Sequence, residues 1–392
     1  MNSTYIISAV RTPIGSFGGM FRAVSAIQLG ASAIKEALIR ANVIPDIVDE
    51  VFFGNVVSAN LGQAPARQAA IFSGIPNTVP ATAINKVCSS GLKSVMIGAQ
   101  TIALGHADIV ISGGMENMSQ IPYYIPKARF GYKYGKAELI DGLEKDGLED
   151  VYNHCAMGMC ADQTAVKYSI SREDQDAFAV ASYRRSAKTT SQGIFKDEIV
   201  PLQVPQRKGD PIIVDEDEEY KKVIFDKIAT LKPAFTKDGT VTAANASTIN
   251  DGASALVLAS EQAVKQHNLS PVARIVSFAD AAHEPELFTT APTLATPKAL
   301  RRAGLSINDI DFIEINEAFA VVPLAFSQVL DVDPQKMNVH GGAVSLGHPL
   351  GASGARILTT LINVLHHKGG QRGLATICNG GGGASALVVE AV

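Results

Sequence analysis

The chain has 392 residues, 34 basic against 38 acidic side chains, a formal charge of −4 and four cysteines. That length exceeds one typical core, so two or more compact units are expected, and the near balance of charge gives no electrostatic case for nucleic acid or an anionic membrane surface. No apolar run approaches the roughly 18 residues of a spanning helix, and four cysteines without a Cys-x2-Cys pair argue against a disulfide framework or a structural zinc site.

The first strand-like run starts at Thr4, leaving no room for a cleaved leader, and the carboxyl end lacks a Ser-Lys-Leu address, so a cytoplasmic protein is expected. Tyr5 to Val10 reads as a buried strand and Ile27 to Arg40 as an amphipathic helix closing near Asn42 and Pro45. Val51 to Val57 is the next strand, Gln63 to Phe72 is helical, Ala81 to Val87 is strand-like, and Gly91 to Ile102 is a helix of small and apolar residues. Ile109 to Ser112 is a strand closed by Gly113 and Gly114. This alternation predicts an α/β fold, a mainly parallel sheet with helices on its faces.

Ser119 to about Ser247 departs from that pattern, with helical stretches at Asp162 to Tyr168 and Arg172 to Ser191 and a mixed-charge run from Lys208 to Lys227. It reads as an inserted subdomain. Lys221, Lys222 and Lys227 in the charged run are either a solvated face or point charges for a substrate phosphate. The carboxyl-terminal portion then repeats the opening order. Phe312 to Ile315 ends in Asn316 as Val51 to Gly54 ends in Asn55, and a helix opened by Ser353-Gly354 matches one opened by Ser90-Gly91. Asn55 to Gly91 spans 36 positions and Asn316 to Gly354 spans 38, a two-copy spacing that predicts a duplicated domain. The division is 1–118 with 248–270 as one half, 119–247 as the insertion, and 271–392 as the other half.

Four residues stand where such a fold presents side chains, and three of them, Cys88, Asn316 and Cys378, lie at the end of an apolar run and are followed by small residues. Cys88 precedes Ser89-Ser90-Gly91 at a predicted helix start, where the dipole and free amides favour a thiolate; its bland alternative is a small buried hydrophobe. His348 sits among Gly347, Pro349, Gly351 and Gly354, read as a tight loop that displays the imidazole ahead of a helix over Ala355 to Leu365. Cys378 is followed by Asn379 and then Gly380 to Gly383, which forfeit packing and offer N–H donors to an oxyanion beside a second thiol. Asn316, at a strand end, can orient a water, or merely form an Asx-type turn.

These residues lie in motifs that resemble the thiolase family along the whole chain, most closely its acetoacetyl-CoA thiolases. The motifs are Asn85-Lys86-Val87-Cys88-Ser89-Ser90-Gly91, Gly113-Gly114-Met115-Glu116-Asn117-Met118, Asn316-Glu317-Ala318-Phe319, Gly347 to Gly354, and Cys378 to Gly382. The resemblance implies duplicated α-β-α layered domains with an inserted loop subdomain, and a two-step reaction. His348 deprotonates Cys88, which takes an acetyl group from acetyl-CoA. Cys378 then removes a methyl proton from a second acetyl-CoA; His348 and a water on Asn316 hold the enolate, and the N–H groups of Cys88 and Gly380 hold the tetrahedral oxyanion. Acetoacetyl-CoA and coenzyme A are the products, feeding isoprenoid or sterol precursors.

By the same resemblance Met157, Phe235, Ala318 and Phe319 line the pantetheine channel, Ser247 touches the pantetheine arm, and Lys222 and Lys227 lie near the nucleotide. Tyr183, Ala243, Ala244, Ala246 and Val344 match the positions that bind potassium, Tyr183 also bordering the substrate side; no tightly bound cofactor is implied, and the assembly is a homotetramer. Ala156 stands where many biosynthetic members have histidine, and Phe288-Thr289 where members acting on 2-methyl-branched substrates have Phe-Pro. The neighbouring reading is a degradative 3-ketoacyl-CoA thiolase of broader chain length. From a different class comes a non-catalytic acyl-CoA or lipid binder, which two poised thiols argue against.

Overall fold

A computed structural model describes residues 3–392 of the chain. Nine strands build the main sheet: β1 (Thr4–Arg11), β2 (Glu50–Gly54), β3 (Ala81–Ile84), β4 (Ile109–Asn117), β5 (Asn250–Ser260), β6 (Ala273–Ala282), β7 (Phe312–Ile315), β8 (Arg372–Asn379) and β9 (Gly383–Ala391). Their spatial order is β7-β8-β9-β6-β1-β5-β4-β2-β3, with the short strand Gly15–Ser16 added on β5. The sheet has an internal symmetry. On one side β2 runs parallel to β4, β4 antiparallel to β5, and β5 antiparallel to β1. On the other side β7 runs parallel to β8, β8 antiparallel to β9, and β9 antiparallel to β6. The two series join where Thr4 to Ile6 pair antiparallel with Ala273 to Ile275. The sheet is thus mixed rather than mainly parallel.

Eight helices matter for the site: α1 (Ala26–Ala41), α2 (Pro65–Phe72), α3 (Ser90–Ala103), α4 (Met157–Lys167), α5 (Arg172–Ser191), α6 (Pro292–Ala303), α7 (Val321–Leu330) and α8 (Leu350–Lys368). Strand periodicity sorts them into layers. On β5, Ala253, Ala255, Val257 and Ala259 face the core under α1 and α2, whereas Leu256 and Leu258 face the central pair α3 and α8. Helices α6 and α7 cover the far face of the second series. Among the described residues no helix is long and apolar enough to cross a membrane.

Boundaries around α8 differ from the sequence reading, because this helix packs closely on β4 and α3. Strand β4 does not stop at Ser112 but runs through Gly113 and Gly114 to Asn117, because a side chain at Gly114 would sit 2.0 Å from the carbonyl of Gly351. Helix α8 begins at Leu350, not after Gly354, so Gly351 and Gly354 are helical residues; a Cβ on Gly354 would stand 2.3 Å from the Leu92 nitrogen of α3. The glycines that read as loop punctuation are contact points between backbones. The strand from Val51 ends at Gly54, leaving Asn55, Val56 and Val57 as a turn bound to a buried carboxylate.

The predicted helices over Asp162 to Tyr168 and Arg172 to Ser191 are found as the last part of α4, which starts earlier at Met157, and as α5. The rest of the insertion is short strands and short helical turns, docked in part by ion pairs. Arg11 on β1, fully buried, binds Glu198 at 2.6 Å and Asp217 at 2.7 Å, both from the insertion.

Candidate active site

Cys88 stands on a strained elbow. Val87 has φ of +48°, a conformation a β-branched residue adopts only under constraint. The constraint is visible: Asn85 Oδ1 accepts from Val87 N at 3.0 Å, and Ser90 Oγ accepts from Lys86 N at 2.8 Å while donating to the Val87 carbonyl at 2.6 Å. The elbow is also tied to the hairpin after Cys378. Lys86 Nζ donates to Asn379 Oδ1 at 3.2 Å and to the Ala384 carbonyl at 3.1 Å, and Ser89 Oγ donates to Asn379 Oδ1 at 2.9 Å. Gly381 and Gly382, both with φ of +80°, turn that hairpin, as the glycine run requires. In consequence the N–H groups of Cys88 and Gly380 both point at the Cys88 sulfur, one from each side of the fold.

His348 is buried, not displayed, at 5 % exposure. Its ring is clamped from within α8: Nδ1 lies 2.6 Å from Ser353 Oγ, whose own proton goes to the Pro349 carbonyl at 2.8 Å. Ser353 therefore accepts, the Nδ1 proton is fixed, and Nε2 is left unprotonated as an acceptor. It accepts a long hydrogen bond from Asn316 Nδ2 at 3.5 Å, and Asn250 Oδ1 accepts from the His348 main-chain N–H at 2.9 Å. Burial and the charge of Arg356 push the imidazole down to about 3, so it is neutral at physiological pH. Asn316 Oδ1 is buried with no hydrogen-bond partner among the described residues, an acceptor for a water.

The expectation of a thiolate at Cys88 is not met at rest. Burial pushes the thiol up to about 12, outweighing the two amides, with the charge of Glu116 adding to the rise. Cys378 is driven up by burial and then by the neighbouring Cys88 sulfur, which locates the two thiols in one electrostatic environment. The resting state is thus two thiols and a neutral imidazole.

A cavity of about 700 Å³ opens on this cluster. Cys88, His348 and Gly380 reach it, together with Met157, Phe235, Ala318, Phe319, Ser247, Ala243, Ala246 and Lys222. Phe319 packs edge-on against Phe235 and Phe288, and Ser247 Oγ donates to the Ala318 carbonyl at 2.9 Å, bracing that wall. Asn316 and Cys378 lie behind the wall, each 0 % exposed, and are not among its lining side chains. Tyr183, Ala244 and Val344 are likewise buried and outside the lining, and Lys227 is exposed and outside it. Lys222, at the outer edge, is not a free cation: it lies 3.6 Å from Glu218 and 3.5 Å from Glu219 and donates to Ser16. Lys221 pairs with Glu216 at 2.8 Å.

Four residues around the cluster escaped sequence reasoning. They are Ser353, Asn250, Glu317 and Glu116. Glu317 Oε2 accepts from Val344 N at 3.1 Å and Ser182 Oγ at 2.7 Å, bracing the segment before His348. The usable signal was a carboxylate at a strand end amid small or apolar residues, in Gly113-Gly114-Met115-Glu116 and Asn316-Glu317-Ala318-Phe319; such a carboxylate has no ordinary reason to be buried.

Residues 4–262 match the thiolase amino-terminal domain and residues 269–391 the thiolase carboxyl-terminal domain. An acetyl-CoA acetyltransferase of Schizosaccharomyces pombe is 54% identical over 389 residues, 99% of this chain and 98% of that one. The acetyl-CoA acetyltransferase of Saccharomyces cerevisiae is 50% identical over 100% of this chain and 99% of its own. Among solved structures, the Acat5 thiolase of Ascaris suum in complex with coenzyme A superimposes with a TM-score of 0.95 at 47% identity, covering 100% of both chains.

Proposed function

The chain belongs to the thiolase family, and from that premise we propose that it joins two acetyl-CoA molecules into acetoacetyl-CoA and coenzyme A through an acetyl group carried on Cys88. The observation that carries this reading is that Cys88 and His348 open on one cavity, with the N–H groups of Cys88 and Gly380 bonded to the Cys88 sulfur and the Nδ1 proton of His348 committed to Ser353. A thiol held near 12 beside an imidazole held near 3 gives no resting ion pair. Charge therefore develops only as a thioester carbonyl arrives: Nε2 takes the thiol proton as sulfur attacks, and the N–H groups of Cys88 and Gly380 receive the oxyanion. The proton on Nε2 then passes to the departing coenzyme A sulfur.

In the second step the vacated Nε2 takes the proton of the Cys378 thiol, the resulting thiolate removes the methyl proton of the next acetyl-CoA, and the enolate oxygen is held by the Nε2–H of His348 and by a water on the unpartnered Oδ1 side of Asn316. The carbanion attacks the Cys88 acyl carbon, and as acetoacetyl-CoA is released the Cys88 sulfur takes back the Nε2 proton, returning two thiols and a neutral imidazole. Met157, Phe235, Ala318, Phe319 and Ser247 hold the pantetheine arm in this reading, with Lys222 at the nucleotide end and Lys227 left to solvent.

A potassium ion fits the residues the family pattern designates. The carbonyls of Ala243, Ala244 and Ala246 accept no hydrogen bond from the described residues, and Glu219 and Glu317 both act on the Tyr183 hydroxyl, a negative environment suited to a cation. Those carbonyls, that of Val344 and the Tyr183 hydroxyl would hold the ion, which would supply rigidity to the segment leading to His348. The insertion exposes Phe130 at 86 % and Tyr134 at 104 %, which supports its assignment to contacts between subunits of a homotetramer. A cytoplasmic place in isoprenoid precursor supply accords with the sequence reading.

The test is turnover in both directions. Acetyl-CoA alone should yield acetoacetyl-CoA and coenzyme A in equal amounts, and acetoacetyl-CoA should be cleaved faster than an eight-carbon 3-ketoacyl-CoA. Equal or faster cleavage of the longer substrate would replace this reading with the broad-chain thiolase.

A further inference from the structure

We propose that Glu116 is a positioning residue that fixes the His348 loop from the opposite half of the fold. The inference rests on the acyl-enzyme reading above. Glu116 lies near the end of β4 and is 0 % exposed. Its Oε2 accepts from the Gly351 N–H at 2.9 Å and the Val56 N–H at 2.9 Å; its Oε1 accepts from Asn55 Nδ2 at 3.0 Å and the Val57 N–H at 3.1 Å. Three of the four are main-chain N–H groups that can only donate. A protonated acid would turn its O–H toward donors, and an amide would place NH2 against two of them, so the hydrogen bonds favour the carboxylate, against burial, which raises its pKa to about 7. Among the described residues no cation pairs with it. An apolar side chain would fill this space at less cost than a buried anion, so packing alone does not account for a glutamate.

What the carboxylate holds is the start of α8. Gly351 is three residues beyond His348, and its N–H is one of those that α8 leaves without a helical partner. Glu116 occupies that donor, and the negative charge suits the helix terminus. There is no slack in the contact: a Cβ on Gly351 would meet Glu116 Oε2 at 2.7 Å and the Met115 carbonyl at 2.6 Å. With Asn250 on the main chain of His348 and Ser353 on its ring, the loop has three anchors, two of them strands of the amino-terminal series. The charge of Glu116 also adds to burial in keeping the Cys88 thiol protonated at rest. One carboxylate thus bears on both the base and the thiol that the base must reach.

The experiment follows Cys88 acetylation in Glu116→Gln by rapid-quench intact mass, alongside coenzyme A affinity and the pH profile of iodoacetamide labelling. The expected result is acetylation slowed about 10²-fold, as a displacement of about 1 Å between reacting groups produces, with coenzyme A affinity within about twofold of wild type and the labelling midpoint of Cys88 shifted to lower pH. Should Glu116→Gln not fold, Glu116→Asp carries the test: it keeps the charge but withdraws it from Gly351, so acetylation slows while the labelling midpoint stays. Acetylation at the wild-type rate in the variant overturns the inference, and so does slowing matched by equal loss of coenzyme A affinity, which is general damage. Absence of acetylation in the wild-type protein would instead overturn the acyl-enzyme reading.

Discussion

Asn55 and Glu116 stand in the amino-terminal series where Asn316 and Cys378 stand in the carboxyl-terminal one. The register gives the match: Gly54 pairs with Gly114 as Ile315 pairs with Thr376, so the next asparagine and the side chain two residues on correspond in each copy. One copy ends in a carboxylate with four hydrogen-bond donors, the other in a thiol beside an asparagine whose nitrogen reaches the His348 imidazole. The same frame thus yields a saturated clamp on one side and an under-coordinated corner, the proposed reactive one, on the other. In the proposed reaction, reactivity comes from groups left incompletely satisfied, and precision comes from their satisfied counterparts.

The largest effect should fall on the reactive corner. Cys378→Ala removes the only proton acceptor proposed for the methyl group and should cut condensation about 10³-fold while leaving Cys88 acetylation intact; condensation near the wild-type rate would strip Cys378 of its role. On the clamp side, Ser353→Ala frees the imidazole to take either tautomer and should slow acetylation roughly 10–100-fold, with stability little changed. An unaltered rate would show that the tautomer is held elsewhere. Gly354→Ala presses a methyl group on Leu92 where α3 and α8 cross and should cost about 1–3 kcal/mol in denaturant unfolding. No loss of stability would mean that the two helices can separate freely.

The smallest effect separates the two sides by pH. His348 is lowered from 6.5 to about 3, so between those values the unfolded chain holds a proton the folded one lacks, and stability falls as pH falls. Burial raises Glu116 from 4.5 to about 7 despite its donors, so there the folded chain holds the extra proton and stability falls as pH rises. The two oppose one another. Glu116→Gln removes the second, and its stability should climb more steeply with pH between 4.5 and 7 than that of the wild type. Parallel profiles would contradict the assignment.

Much of this was legible in the chain because the reactive groups sit at element ends marked by small residues. Cys88 before Ser89-Ser90-Gly91, Cys378 before a glycine run and His348 beside Gly347 and Pro349 are local patterns, and local patterns survive in sequence. The repeat of Asn55 to Gly91 in Asn316 to Gly354 likewise exposed the duplication, though not the mixed order of the strands. What did not show was anything set by approach across the fold. Gly114 and Gly351 read as loop residues because their partner is backbone more than two hundred positions away. Ser353 seemed a helix opener, and its contact to His348 follows only once α8 is known to start at Leu350. The thiol of Cys88 was expected to be lowered by a helix start, but burial, which no local pattern reports, dominates.

The account turns on two sulfurs with separate duties, and the measurement that reaches it most directly is the mass of the protein after brief exposure to acetyl-CoA, with the modified peptide mapped. The predicted result is one acetyl group on Cys88 in the wild type and in Cys378→Ala, and none in Cys88→Ala. Acetylation mapped to Cys378, or persisting when Cys88 is replaced, would contradict it.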